Sequence, residues 1–189
     1  MITEALNKTG SYSEYDFDLF EKEYQIRDIR PGEILLNVGE VAKSAYYVLY
    51  GAIYQYRLTD EIEEVILDLA PEGKWVLDQK SFVAQKPSEN CIKAYETSQL
   101  LEISLDSIHK LIGLSPAFFQ LGRLLDATGH RALFFDRSLS PLEKYQSLLD
   151  HSPLILTKFP LKMIASYLRI APETISRVRK KIVAPRNPS

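Results

Sequence analysis

Glu173, Ser176, Arg177 and Lys180 fall at i, i+3, i+4 and i+7. On a helix that spacing gathers a carboxylate, a hydroxyl and two cations into one stripe. An arginine so placed can donate two hydrogen bonds to guanine O6 and N7, and a glutamate can accept from the amino group of cytosine. Thr174 and Lys181 flank the stripe, and Arg179, Lys180 and Lys181, farther along, suit phosphates better than base edges. This is the chemistry of recognition, with no bond made or broken. A basic, solvated terminal helix would carry the same residues, so the assignment depends on an element that aims them.

The neighbouring residues supply that element. Ile175, Val178 and Ile182 form an i, i+3, i+7 apolar face on the other side of a helix expected over 172–182, with Pro172 in its first turn. A helix expected over 160–168 carries Ile164, Tyr167 and Leu168 at i, i+3 and i+4. Only Arg169-Ile170-Ala171 separates the two, so they must meet at an angle with their apolar faces together, which is helix-turn-helix geometry. The second helix of such a pair enters the major groove and reads bases with residues near its N-terminus. Charge points the same way. Residues 1–150 carry 15 Lys+Arg against 24 Asp+Glu, whereas residues 151–189 carry 8 against Glu173 alone, an acidic body with a basic end that seeks phosphate.

Upstream, residues 12–26 read as a short amphipathic helix. From Gly32 to Leu105, short runs of Tyr, Val, Ile and Leu are punctuated by turn signals at Gly39, Gly51, Pro71-Glu72-Gly73 and Lys86-Pro87-Ser88. Val65, Leu67 and Leu69 alternate with Ile66 and Asp68, and Leu101, Ile103 and Leu105 with Glu102 and Ser104, a period of two that predicts half-buried strands in a sandwich or roll. The period changes after Pro116. Leu121, Leu125, Thr128, Ala132 and Phe135 follow a 4-3-4-3 spacing, a helical seam for a partner helix or for the chain's own body, with Gly122 and Gly129 able to permit close approach. Ser138-Leu139-Ser140-Pro141 breaks the pattern, a helix is expected over 142–149, and Leu154-Ile155-Leu156 reads as a short extended piece.

With these residues in place the chain resembles the Crp/Fnr family of regulators along nearly its whole length. Phe159 to Ile182 resembles the family's DNA-binding helix pair, and Glu173-Thr174-Ile175-Ser176-Arg177 matches the Glu-Thr-x-Ser-Arg pattern of its recognition helix. Pro31-Gly32-Glu33 through Gly51 resembles the opening strands of the family's β-roll. The resemblance implies an α+β chain: an N-terminal β-roll sensor of the double-stranded β-helix or jelly-roll type with its N-terminal helix (1–112), a long dimerisation helix (113–138), and a C-terminal helix-turn-helix of winged-helix type (139–189). It implies Glu173, Ser176 and Arg177 as base-reading positions, a cytoplasmic homodimer on a palindromic duplex, and RNA polymerase as a further partner. Two departures stand out. The family usually has glycine in the turn where this chain has Arg169, and a left-handed conformation there would strain a non-glycine residue by about 1 kcal/mol. The chain also ends soon after the recognition helix.

Relatives that bind cyclic nucleotides cradle the phosphate with a Gly-Glu pair and, after a loop, an Arg-Ser pair. Alignment on Pro71-Glu72-Gly73 and Ala94 places Leu77-Asp78 and Ser88-Glu89 at those pairs. Leu77 forfeits the close backbone approach of glycine, Ser88 removes the guanidinium, and Glu89 puts a negative charge where an anion would sit. Cyclic AMP bound in the usual manner is therefore disfavoured and no cofactor is expected. Tyr54, Tyr56, Trp75, Tyr95 and Cys91 are candidates to line an effector cavity, or plain core.

Other classes find little support. There is no phosphate-cradling glycine loop, metal-ligand spacing or nucleophile motif, so an enzyme is not expected. Cys91, the single cysteine, can neither form an intramolecular disulfide nor hold an iron–sulfur cluster. His109, His130 and His151 have no haem motif around them. No stretch approaches the ~20 apolar residues that cross a bilayer, and Met1 to Ala5 does not start a signal peptide. The competing reading is a ligand-binding or protein-interaction roll whose C-terminal helices no longer read DNA.

Overall fold

The computed structural model describes residues 2–61, 63–128 and 139–183. Two short helices, α1 (Ile2–Asn7) and α2 (Glu14–Glu21), precede eight antiparallel strands. Ser13 starts α2 as a capping box: its hydroxyl accepts the Asp16 N–H while the Asp16 carboxylate accepts the Ser13 N–H. The helix expected over 12–26 stops at Glu21, because Tyr24 opens a strand paired with Ile103.

The strands are β1 (Tyr24–Ile29), β2 (Ile34–Leu36), β3 (Ser44–Tyr50), β4 (Ala52–Leu58), β5 (Glu64–Pro71), β6 (Trp75–Val76), β7 (Cys91–Ala94) and β8 (Ser98–Ser104). They form two four-stranded sheets, β1-β8-β3-β6 and β2-β7-β4-β5. Tyr47, Ile53, Ile92, Leu100 and Leu101 are buried in the core of this roll. At the β3–β4 turn Gly51 has φ +90°, and a Cβ there would lie 2.5 Å from the Thr97 carbonyl oxygen, so only glycine fits.

The alternation expected in β5 has the wrong phase beyond Leu69. Tyr54 pairs with Leu69 and Gln55 with Asp68, but Tyr56 pairs with Ile66, so Leu67 is the extra residue of a β-bulge. The bulge turns Ile66 onto the same buried face as Leu69 and leaves Val65 and Leu67 half-buried. Leu105, read as the end of a strand, instead opens α4 (Leu105–Leu114), whose N-cap Ser104 accepts the Ser107 N–H.

The long α-helix expected after Pro116 differs in kind. Pro116–Thr128 is a 3-10 helix. Three residues per turn place i and i+3 in register, and Phe118, Leu121 and Leu124 at that spacing are all buried against the roll. Leu125 packs partly against the same core. Leu121 and Leu125 thus serve the chain's own body, the alternative that the spacing left open. Ala132, Phe135, Gly129 and the Thr128 side chain lie outside what the structure describes. A Cβ at Gly122 would meet open space, so no close approach within the chain requires that glycine.

The C-terminal unit is α5 (Pro141–His151), α6 (Pro153–Lys158), α7 (Leu161–Leu168) and α8 (Pro172–Val183). Ser140 and Glu143 form a capping box at the start of α5, with Pro141 in its first turn. The extended piece expected at Leu154-Ile155-Leu156 is instead the middle of α6: Pro153 suits a first helical turn, and Ile155 is fully buried among the unit's own helices and the roll. Among the described residues the unit contains no strand, so the winged part of the expected architecture is not formed by them.

This unit is docked on the outer face of sheet β2-β7-β4-β5. Ala52, Tyr54, Tyr56, Ile66, Leu69 and Cys91 share one buried cluster with Tyr145, Leu148, Ile155, Phe159, Ile164 and Leu168. The sheet is consequently buried on both faces, which explains why β4 is apolar from Ala52 to Tyr54 without alternation.

Candidate nucleic-acid interface

Helices α7 and α8 form the pair read from the sequence. Ile164, Ala165, Tyr167 and Leu168 are buried on α7, Ile175 and Val178 on α8, and Ile182 packs against them. Between them Arg169 is left-handed, φ 59° and ψ 46°, the strained conformation expected if a non-glycine residue occupies this turn. The bend is closed by the Arg169 N–H to the Ser166 carbonyl at 3.2 Å and the Ile170 N–H to the Ala165 carbonyl at 3.0 Å. Ala171 then accepts from the Thr174 and Ile175 N–H groups, starting α8.

With its apolar face against α5 and α7, α8 presents Glu173, Arg177, Arg179, Lys180 and Lys181 to solvent, with Thr174 and Ser176 half-exposed between them. The stripe is therefore open while the unit is docked on the roll. Glu173, in the first turn, complements the positive end of the helix dipole, as Lys180 and Lys181, in the last turn, complement the negative end.

Three residues that hold this helix pair do not stand out in the sequence. Lys144 is buried, and its ammonium donates to the Leu168 carbonyl at 3.4 Å, a cation on the C-terminal end of α7. Its position four residues before Leu148, on the apolar side of α5, is the one available signal. Ser166 accepts the backbone N–H of Ile66 at 3.0 Å, tying α7 to β5, the edge strand of its sheet. Lys158 reaches Glu96 at 2.8 Å; this hydrogen bond, more than any other influence, raises the lysine's pKa. We expect Ser166→Ala, which leaves the Ile66 N–H without its acceptor, to lower stability by about 1 kcal/mol in chemical denaturation.

The residues expected around an effector do not meet in one cavity. Trp75 and Leu77 lie in the roll core, where the Trp75 indole donates to the Ala5 carbonyl at 2.9 Å. Tyr54, Tyr56 and Cys91 face the C-terminal unit instead; the two tyrosine rings stack at 5.4 Å, and Tyr95 bridges toward Phe159. Burial raises the phenol pKa of both Tyr54 and Tyr56, with Glu64 adding to the effect. Only Asp78, Ser88 and Glu89 come together, around a cleft of about 50 Å³.

That cleft is already occupied by the chain's own hydrogen bonds. Asp78, the N-cap of α3 (Gln79–Ala84), is buried and accepts the Ser81 N–H at 3.0 Å. It also accepts from Gln55 Nε2 at 3.1 Å, Ser88 Oγ at 2.9 Å and Asn90 Nδ2 at 2.6 Å. Glu89 lines the same cleft as Ser88, as its place beside that residue implies, but its charge is compensated there. It is exposed and paired with Lys80 at 3.1 Å and Arg57 at 3.0 Å, cations that hold its carboxyl below the usual carboxylate range. Among the described residues no cluster of His, Cys, Asp or Glu could hold a metal, and no helix is long and apolar enough to cross a membrane.

The roll falls into a known class: residues 26–114 match the cyclic nucleotide-binding domain family. The curated relatives extend the match. The cAMP-activated global transcriptional regulator CRP of Haemophilus influenzae is 25% identical over 162 residues, covering 78% of this chain and 72% of the relative. The CRP-like protein Clp of Xanthomonas campestris is 26% identical over 165 residues, covering 77% of this chain and 72% of its own. In three dimensions FixK2 of Bradyrhizobium japonicum superposes with a TM-score of 0.67 at 17% identity, over 84% of each chain, which supports the fold. Over most of its length the chain is similar to the regulator CRP and to a CRP-like protein. The Haemophilus influenzae relative is named as a regulator of transcription.

Proposed function

We propose that this chain is a sequence-specific DNA-binding transcription regulator of the cytoplasm that acts as a two-fold dimer. One observation carries the reading: the Glu173, Ser176, Arg177 and Lys180 stripe is open to solvent while every apolar residue of the same helix that the spacing assigned to packing is used for packing. Arg177 and Glu173 read base edges, and Arg179, Lys180 and Lys181 hold phosphates. Two such helices about 34 Å apart fit successive major grooves of a palindrome. The exposed apolar side chains of Phe119, 69% exposed, and Leu114, 50%, favour a partner for this surface. RNA polymerase is the further partner that the family resemblance brings.

The roll does not take cyclic AMP in the usual manner. Asp78 is saturated by four donors, Leu77 is a buried core residue at the glycine position, and the cleft of about 50 Å³ beside Asp78 is far below the roughly 300 Å³ at which small-molecule sites begin. We expect cyclic AMP to leave the melting temperature unchanged in a thermal scan. A specific ligand at 100 times its Kd would add about 2.7 kcal/mol of stability, and a clear upward shift would refute this part of the proposal.

The function is tested by titrating the purified chain onto a labelled mixed-sequence duplex by fluorescence anisotropy. Binding at about 50 mM salt that weakens by orders of magnitude toward about 200 mM is expected of a protein displacing several phosphate counterions. No binding at low salt would favour a roll that serves as an interaction module.

A further inference from the structure

A second cleft, of about 610 Å³, lies between the roll and the C-terminal helical unit and shares no lining residue with the Asp78 cassette. Its walls come from the end of α1, the β5–β6 turn, the 3-10 helix, and helices α5 to α7. The floor is apolar: Trp75, Leu124, Leu148 and Tyr167 are all buried side chains that also line it. The rim carries Lys8, Lys74 and Arg123 against one acid, Glu72. Lys74 is committed to Asp68 at 2.9 Å and Lys8 to Glu4 at 3.7 Å. Arg123 is exposed and makes no ion pair among the described residues, so its charge is available at the mouth of an apolar hollow.

We propose that this cleft binds an amphipathic organic anion, with a carboxylate or sulfonate on an aromatic or alkyl body. The volume lies within the roughly 300–1,000 Å³ of small-molecule sites, and few polar groups over an apolar floor is the usual make-up of such sites. The head group meets the Arg123 guanidinium, which suits a planar two-oxygen anion better than an ammonium would. The body lies on Trp75 and Leu124 from the roll side and on Leu148 and Tyr167 from the C-terminal helical unit. A ligand that touches both parts stabilises the arrangement in which both sets of contacts exist, which makes this cleft, and not the nucleotide cassette, the place where a small molecule would act on α8.

The test uses the full chain and the fluorescent anion 1-anilinonaphthalene-8-sulfonate. Saturable uptake of one dye per chain is expected, displaced by decanoate and not by decan-1-ol. Arg123→Glu, an exposed substitution, is expected to weaken binding at least tenfold. Ser147→Trp, which puts bulk into the cleft, is expected to abolish it, while Arg57→Glu at the Asp78 cassette leaves it unchanged. The absence of saturable uptake, or uptake that both Arg123→Glu and Ser147→Trp leave intact, overturns the proposal.

Discussion

Asp78→Ala is expected to lower the stability of the chain by about 3–5 kcal/mol, enough to depress the melting temperature by roughly 10 °C in a chain of this size. Asp78 is 2% exposed. It joins three parts of the roll: the start of α3 through Ser81, strand β4 through Gln55, and the loop before β7 through Ser88 and Asn90. Removing it strands buried donors at each, and an unmade buried hydrogen bond costs about 1–3 kcal/mol. It also removes the side-chain cap of α3, a loss of about 1 kcal/mol on its own. Asp78→Asn keeps one acceptor oxygen and so should cost about half as much. Thermal or urea denaturation of both variants decides the matter. An alanine variant as stable as the parent would mean that Asp78 is an empty ligand site and not a structural hub.

Arg177→Ala carries the largest expected effect on function. If the guanidinium makes a bidentate contact with a guanine, its loss costs about 1–3 kcal/mol of discrimination at that one base pair, roughly five- to 150-fold in relative affinity. The protein's fold should not change, because Arg177 is exposed and the packing of α8 rests on Ile175 and Val178. Lys180→Ala provides the contrast. Taking away a cation that holds a phosphate weakens binding to all sequences alike and reduces the salt slope by about 1. Competition binding against single-position variants of a preferred site separates the two patterns. Equal, sequence-independent losses from both substitutions would remove Arg177 from the reading role.

The C-terminal helix pair is legible in the sequence because its information is local. Ile164, Tyr167 and Leu168 on one helix, and Ile175 and Val178 on the next, sit at helical spacings that a window of a dozen residues exposes, and all five are buried as that spacing requires. The roll is legible as a class for the same reason, from Tyr46 to Gly51 above all. The parts that fail depend on neighbours distant in the chain. Nothing near Ile66 announces that a bulge at Leu67 will turn it outward, or that Ser166, 100 residues later, will accept its N–H. Tyr54 and Tyr56 carry the signature of core residues either way, and only the docked helices decide that they face α6 and α7 and not a ligand. The cations that compensate Glu89, Arg57 and Lys80, are not legible in the sequence because they come from different elements of the roll. Leu121 fits a period of three and a half in the sequence, and it is buried at a period of three with Phe118 and Leu124.

The central claim is that α8 reads sequence, and selection from a random duplex library with the purified, ligand-free chain tests it most directly. The expected result is a palindromic consensus whose half-sites are spaced by about one turn of DNA, roughly 10 base pairs, each with a guanine position sensitive to Arg177→Ala. Enrichment of no consensus, from a chain that binds duplex DNA at low salt, would contradict it.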